Sequence, residues 1–153
     1  MIVAELHAGD VSRSASGALI GTLYLKLGDL CFPDVAWSDF VVVVLEWWCS
    51  ALQRLHQGDP GPIDVPFMDG PYRVEIESLA DERLDVTLVR SGARHDQETA
   101  RSIVDRSQLT HSLIVAARAV LRQCRQHGWS SRDIEALSES LDALVNCTAF
   151  GSA

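Results

Sequence analysis

Apolar positions crowd most densely between Phe32 and His56, a stretch that holds three of the four tryptophans and the run Val41 to Val44. Within it Trp37, Phe40, Val44, Trp47 or Trp48, Ala51 or Leu52, and Leu55 recur at intervals of three and four. That spacing predicts a helix over about 37–56. The valines argue for a strand, because β-branched side chains cost a helix a few tenths of a kcal/mol each. Length decides for the helix, since no Gly or Pro interrupts the stretch before Gly58. Ser38 is placed to cap its start and Asp39 to meet its dipole. Gly58 stands just past its end, where a left-handed residue is wanted. The breadth of the apolar surface predicts a helix buried on most sides.

Strands precede and follow this segment. Met1 to His7 alternates loosely and reads as a short strand, and Ala8 to Ser16 reads as a loop. From Gly17 to Leu27, Leu19, Leu23, Leu25 and Leu27 share one face with Gly21, opposite Ile20, Thr22, Tyr24 and Lys26. Gly28-Asp29 then turns the chain into Leu30-Cys31-Phe32, and Pro33 ends that pairing because it has no N–H. Residues 58–62 read as a linker, and Asp69-Gly70 as a turn. Tyr72, Val74 and Ile76 alternate with Arg73, Glu75 and Glu77. After a turn at Asp81-Glu82, Leu84, Val86 and Leu88 alternate with Asp85, Thr87 and Val89. These runs predict an antiparallel pair with one face in the core and one charged face in water. Residues 99–104 read as a third strand or as the approach to the next helix.

Two helices close the chain. The first, about 106–127, turns Leu109, Leu113, Ala116, Val120 and Cys124 inward and presents His111, Arg118, Arg122 and Arg125 outward. The second, about 131–146, is capped by Ser130 or Ser131 and buries Ile134, Leu137, Leu141 and Leu144, leaving Thr148 to Ala153 as a tail. The predicted architecture is a single α+β domain: an antiparallel sheet of about five strands with three helices packed on it.

A length of 153 residues suits one domain whose core needs no disulfide or metal. Cys31, Cys49, Cys124 and Cys147 are scattered and read as reduced thiols. Cys124 and His127 lie three apart on a helix, but no second pair completes a zinc site, so no metal or other cofactor is expected. The first residues lack a basic region followed by an apolar one and no apolar run reaches membrane-spanning length, so cytoplasmic residence is expected.

The net charge of −8 is unevenly spread. Residues 1–81 carry twelve acids and four bases, whereas residues 82–153 carry nine of each. A field of this sign repels nucleic acid and favours a basic partner. No nucleophile elbow, phosphate-binding loop, zinc-helix motif or dinucleotide fingerprint occurs, and the five histidines are dispersed. Residue chemistry alone reaches an acidic α+β domain with no visible catalytic apparatus, its charge serving plain solubility or a basic partner; for a partner, Asp34, Asp59, Asp64, Asp69, Glu75 and Glu77 are the acidic contributors. Two other readings stay open: a ligand-binding or enzymatic pocket using Asp34, Asp39 or His111, and an assembly protein that self-associates through an exposed Trp47 or Trp48.

The series Gly21-x-Leu23-x-Leu25-x-Leu27-Gly28-Asp29, Phe32-Pro33-x-x-x-Trp37-x-Asp39-Phe40, Trp47-Trp48 and Phe67-Met68-Asp69-Gly70-Pro71-Tyr72 covers much of residues 17–90. It resembles small bacterial proteins encoded beside polymorphic toxins, including immunity proteins of contact-dependent growth inhibition systems. The resemblance implies an inhibitor, monomeric or weakly dimeric, that binds the cognate toxin's C-terminal domain. Such toxins are often basic nucleases, whose substrate charge an acidic protein imitates. The resemblance assigns no binding residues.

Overall fold

The computed structural model describes residues 2–151. Eight strands and three helices follow one another as β1 (Ala4–Arg13), β2 (Leu19–Leu27), β3 (Leu30–Phe32), β4 (Ser38–Asp39), α1 (Val41–His56), β5 (Ile63–Pro66), β6 (Tyr72–Ser78), β7 (Arg83–Arg90), β8 (Gln97–Asp105), α2 (Arg106–Gln126) and α3 (Arg132–Gly151). The class is α+β with antiparallel pairing throughout, but the strands form two four-stranded sheets, not one sheet of about five. In the first sheet β2 is central. It pairs with β1 on one side, and on the other with β3 near its C-terminal end and β4 near its start. The second sheet is a meander in the order β5-β6-β7-β8.

Helix α1 supplies the core that both sheets need. Val41, Val42, Val44, Leu45, Trp48, Cys49, Ala51, Leu52 and Leu55 are all buried. The helix touches β2 of one sheet, β5 of the other, and both remaining helices. Full burial of a valine or leucine contributes roughly 1.5–3 kcal/mol, far more than the few tenths that β-branching costs a helix, so packing overrides propensity at Val41, Val42 and Val44. Trp48 is fully buried and Trp47 is half-buried against the same core, so neither is a free outward tryptophan. Burial, with the Glu46 carboxylate adding to it, pushes the Cys49 thiol up to about 12, and it stays protonated in the interior.

The start of α1 differs from the expected one. Trp37 and Ser38 lie outside the helix, β4 pairs Ser38-Asp39 with Gly21-Thr22, and the N-cap is Phe40 with no side-chain cap bond. Asp39 is buried and does something else. Its carboxylate accepts hydrogen bonds from the Phe40 N–H (2.7 Å), the Trp37 indole Nε1–H (3.0 Å) and the Asp69 N–H (3.2 Å). The last of these ties the first sheet to the β5–β6 turn of the second. Around it Phe32 meets Phe67 and Tyr72 edge-on, and Trp37 meets Tyr72 in the same way.

Helix α2 lies along the outer edge of β1. Its Gln108 Oε1, Ser112 Oγ and Gln123 Oε1 accept the N–H groups of Ala4 (3.1 Å), Leu6 (3.0 Å) and Val11 (2.9 Å). The inward face expected for α2 is buried at every position: Leu109, Leu113, Ala116, Val120 and Cys124. Asp105 caps it by accepting the Gln108 N–H (2.8 Å). Ser131 caps α3 through the Ile134 N–H (3.2 Å), and Leu137, Leu141 and Leu144 are buried beneath it.

Three boundaries depart from expectation. Strand β1 runs on through Gly9-Asp10, which forms a bulge with Asp10 at φ 50°, where a loop was expected. The short strand β5 arises in a segment with no alternation long enough to announce it. Helix α3 continues through Thr148 to Gly151, and the rest of the expected tail lies outside the described residues.

Two consequences are measurable. A Cβ on Gly21 would lie 2.7 Å from the Gly9 carbonyl oxygen and 3.0 Å from Val41 Cγ1, so Gly21→Ala forces the bulge of β1 away from β2. Denaturant unfolding of that variant is expected to show a loss of about 1–3 kcal/mol. His56 Nε2–H donates to Thr110 Oγ1 (3.0 Å), which itself donates to the Arg106 carbonyl (2.7 Å). Burial first, and then the Arg106 charge, hold the His56 pKa below its ordinary 6.5, against a smaller opposing pull from Glu82. The unfolded chain therefore takes up this proton first as pH falls. The stability that His56 gives is present above about pH 6.5 and is lost as pH drops toward the lower folded value. The urea midpoint of the wild type should fall between about pH 7 and pH 5, and His56→Gln should flatten that part of the profile.

Candidate functional site

Every strand of the second sheet puts one set of side chains into the core and the other outward. Val65, Val74, Ile76, Leu84, Val86, Leu88 and Val104 are the buried set. The outward set carries Asp64 from β5, Arg73, Glu75 and Glu77 from β6, Asp85 and Thr87 from β7, and Glu98, Arg101 and Ile103 from β8. Asp96 joins them from the end of the β7–β8 loop, and a shallow groove of about 460 Å³ runs across the face with Val89 in its floor. Glu77, Glu98, Arg101 and Ile103 are exposed on this face, whereas the Asp85 side chain, held by Arg101, is only 13% exposed. Six carboxylates, Arg73 and Arg101 together carry a net charge of −4, and Arg83 and Asp105 end the same face as an opposed pair.

The two arginines hold the carboxylates in place. Arg73 Nη2 donates to Glu75 Oε1 (2.9 Å) and Asp96 Oδ2 (2.8 Å), its Nη1 donates to Ser91 Oγ (3.0 Å), and its Nε lies 3.8 Å from Asp64 Oδ2. Arg101 grips Asp85 with Nε (2.9 Å to Oδ1) and Nη2, a two-pronged contact across β7 and β8. The hydrogen bond from Arg73 holds the Asp96 carboxyl below the ordinary range, and the hydrogen bond from Arg101 does the same for Asp85. Each arginine is correspondingly pushed up, first by its bond to Glu75 or to Asp85. Asp85 and Asp96 thus remain ionised to lower pH than free carboxylates. The face is a fixed charge array, since each arginine ties down groups that would otherwise repel one another.

Three of the six acids expected from the sequence, Asp64, Glu75 and Glu77, lie on this face. The other three lie elsewhere. Asp34 sits in the exposed β3–β4 turn, where its Oδ1 accepts the Val35 N–H (2.8 Å). Asp69 is in the β5–β6 turn, and Asp59 pairs with Arg54 (2.9 Å) at the end of α1. The structure adds Asp85, Asp96 and Glu98, all from the half of the chain without net charge. Alternation of Asp85 with buried Leu84 and Val86 is the signal that places it beside Glu75 and Glu77.

The groups considered for a pocket are not brought together. Asp39 has both oxygens occupied inside the β4–α1 junction. His111 lines a groove of about 370 Å³ between β1 and α2, with β2 between it and the Asp34–Asp39 segment. Cys124 is buried on the inner side of α2, whereas His127 is exposed and stacks on Trp129 at 4.2 Å, so the two do not form a ligand pair. Among the described residues no cluster of three or more His, Cys, Asp or Glu is arranged to hold a metal. None of the described ion pairs involves Arg118, Arg122 or Arg125, so the basic stripe of α2 faces solvent.

Among the described residues no helix is long and apolar enough to cross a membrane. No family model, curated protein or solved structure matches the chain.

If Arg73 orders this array, Arg73→Ala should release Asp64, Glu75 and Asp96 to repel each other. Side-chain carboxyl NMR is expected to show the Asp96 pKa rising. Folding stability should change by less than about 1 kcal/mol, because the carboxylates are exposed to water.

Proposed function

We propose that this chain is a binding protein of the immunity type, which uses the open face of its second sheet to occlude a basic surface on a cognate toxin domain. The observation that carries the reading is the outward face itself: six carboxylates on and beside an antiparallel meander, four of them (Asp64, Glu75, Asp85 and Asp96) held by Arg73 or Arg101. A nuclease-type toxin presents a positively charged cleft to its substrate. A sheet of ordered carboxylates meets such a cleft with charges at strand spacing and adds little ordering cost on binding. Association would then be steered by charge, with a rate that falls as salt screens the field. On this reading Asp64, Glu75 and Glu77 act together with Asp85, Asp96 and Glu98. Asp34 and Asp69 are placed to act only from separate loops, and Asp59 from the end of α1.

The test is charge reversal at two exposed acids that make no described hydrogen bond, Glu77 and Glu98. Glu77→Lys combined with Glu98→Lys should leave the circular dichroism spectrum unchanged. It should slow association with the toxin domain encoded beside it by tenfold or more at low salt, and reduce the salt dependence of that rate. Equal association rates for the two proteins, or a pull-down with the neighbouring gene co-expressed that retains no partner, would end the proposal.

A further inference from the structure

The two sheets leave four outer edges, and three of them are guarded. The edge of β1 is covered by α2, whose Gln108, Ser112 and Gln123 take up its N–H groups. On the far side of β2, β3 and β4 are only three and two residues long. Strand β5 has four residues, ends in Pro66 and is preceded by Pro62. Strand β8 is the exception, with nine residues that are mostly exposed from Gln97 to Ile103.

The ladder shows which of its backbone groups are free. The Arg106 N–H donates to the Glu82 carbonyl (2.9 Å), and the register runs on through Leu84↔Val104 and Val86↔Ser102 to Leu88↔Ala100. Hydrogen-bonded pairs alternate along an antiparallel ladder, so Ala100, Ser102 and Val104 bond to β7 while the N–H and C=O of Arg101 and Ile103 point away from the sheet. Among the described residues no side chain bonds to either backbone. The outward face beside this edge carries Glu98, Arg101, whose guanidinium is turned to Asp85, and Ile103, an aliphatic side chain 44% exposed.

We infer that β8 is a strand-docking edge, on which an extended arginine- or lysine-bearing segment of the partner polypeptide adds as a fifth strand of the second sheet. The inference rests on the reading of the acidic face as the docking surface and states how the partner engages it. Main-chain bonds to Arg101 and Ile103 would supply register. A basic side chain of the added strand would fall beside Glu98, drawn by the net negative charge of the face behind it, and an apolar one would cover Ile103. A second copy of this chain is the poorer occupant. Two-fold pairing of β8 with itself would set two faces of net −4 side by side.

The experiment is an amide-resolved NMR titration of the full chain with a synthetic peptide about ten residues long that alternates arginine and valine. Parallel titrations use the same peptide methylated on alternate backbone nitrogens, the Ile103→Pro variant, and the Glu77→Lys/Glu98→Lys variant. Pro at position 103 removes an outward N–H and spares the ladder to β7. Expected are shifts centred on Gln97–Asp105, with affinity about five- to tenfold weaker for the methylated peptide and for Ile103→Pro, and at least tenfold weaker for the charge-reversed protein. If charge reversal weakens binding while methylation and Ile103→Pro leave it unchanged, strand addition is wrong and the acidic-face reading survives. If methylation and Ile103→Pro weaken it and charge reversal does not, the edge docks strands without the charge preference, and the acidic-face reading fails. No binding by the arginine peptide overturns the inference, as does a dimer of the free protein that Ile103→Pro disperses. An amide spectrum of Ile103→Pro that is no longer dispersed transfers the edge test to the methylated peptide alone.

Discussion

Two small antiparallel sheets, one with a broken third strand and the other a simple meander, cannot each bury a face unaided. Both depend on α1. Its buried side chains serve β2 and β5 as well as α2 and α3, and with Trp48, Leu45, Leu52 and Leu55 fully enclosed it is apolar around most of its circumference. That demand explains the unusual run of valines. Positions 41, 42 and 44 are all buried, and the energy of enclosing each one exceeds the cost of a β-branched residue in a helix several times over. It also explains why a carboxylate is tolerated at Asp39. The entry to α1 must be pinned to both sheets, and one buried acceptor that takes three donors from Trp37, Phe40 and Asp69 does so without an unpaired charge-bearing oxygen facing a dry interior.

With the apolar faces turned toward α1, the outward faces become available for other uses, and the two sheets differ there. On the first, His7 stacks on Tyr24 and the charges are few. On the second, carboxylates gather around two arginines. A surface of like charges destabilises its own fold, and the arginines offset this locally without neutralising the whole. The residual charge is therefore concentrated and ordered, which is the condition under which electrostatics favours one partner geometry over another.

Much of this architecture is legible in the sequence because its signals are periodic. The 3.6-residue recurrence in α1, α2 and α3, and the strict alternation of β2, β6 and β7, report burial directly. What eluded sequence reasoning depends on contacts between distant segments. Whether the strands make one sheet or two is decided by how α1 interrupts the chain, and alternation carries no trace of it. Ser38 and Asp39 look like helix-start residues, and they become a strand because Gly21 and Thr22 are there to pair with them. Strand β1 crosses Gly9-Asp10 because a bulge absorbs the turn-forming pair. At the acidic face, residues 75 and 77 are legible through charge and alternation, and residue 64 through charge alone. Asp85 was equally so, once the strand pair had been assigned a charged side. Counting charge by halves of the chain hid it, because the arginines that balance the second half, among them Arg118 and Arg122 on α2, lie on a different element.

Gln108, Ser112 and Gln123 occupy helix positions that any hydropathy profile would assign to water. In the folded chain they stand in for a missing neighbouring strand, presenting side-chain oxygens where a sheet would present carbonyls. Homologous or designed versions of this domain therefore have less freedom at these sites than their polarity suggests. An acceptor of suitable reach must be kept at each of them, and a lysine or arginine, otherwise a routine exchange on a solvent-facing helix, would supply only donors to a row of backbone amides.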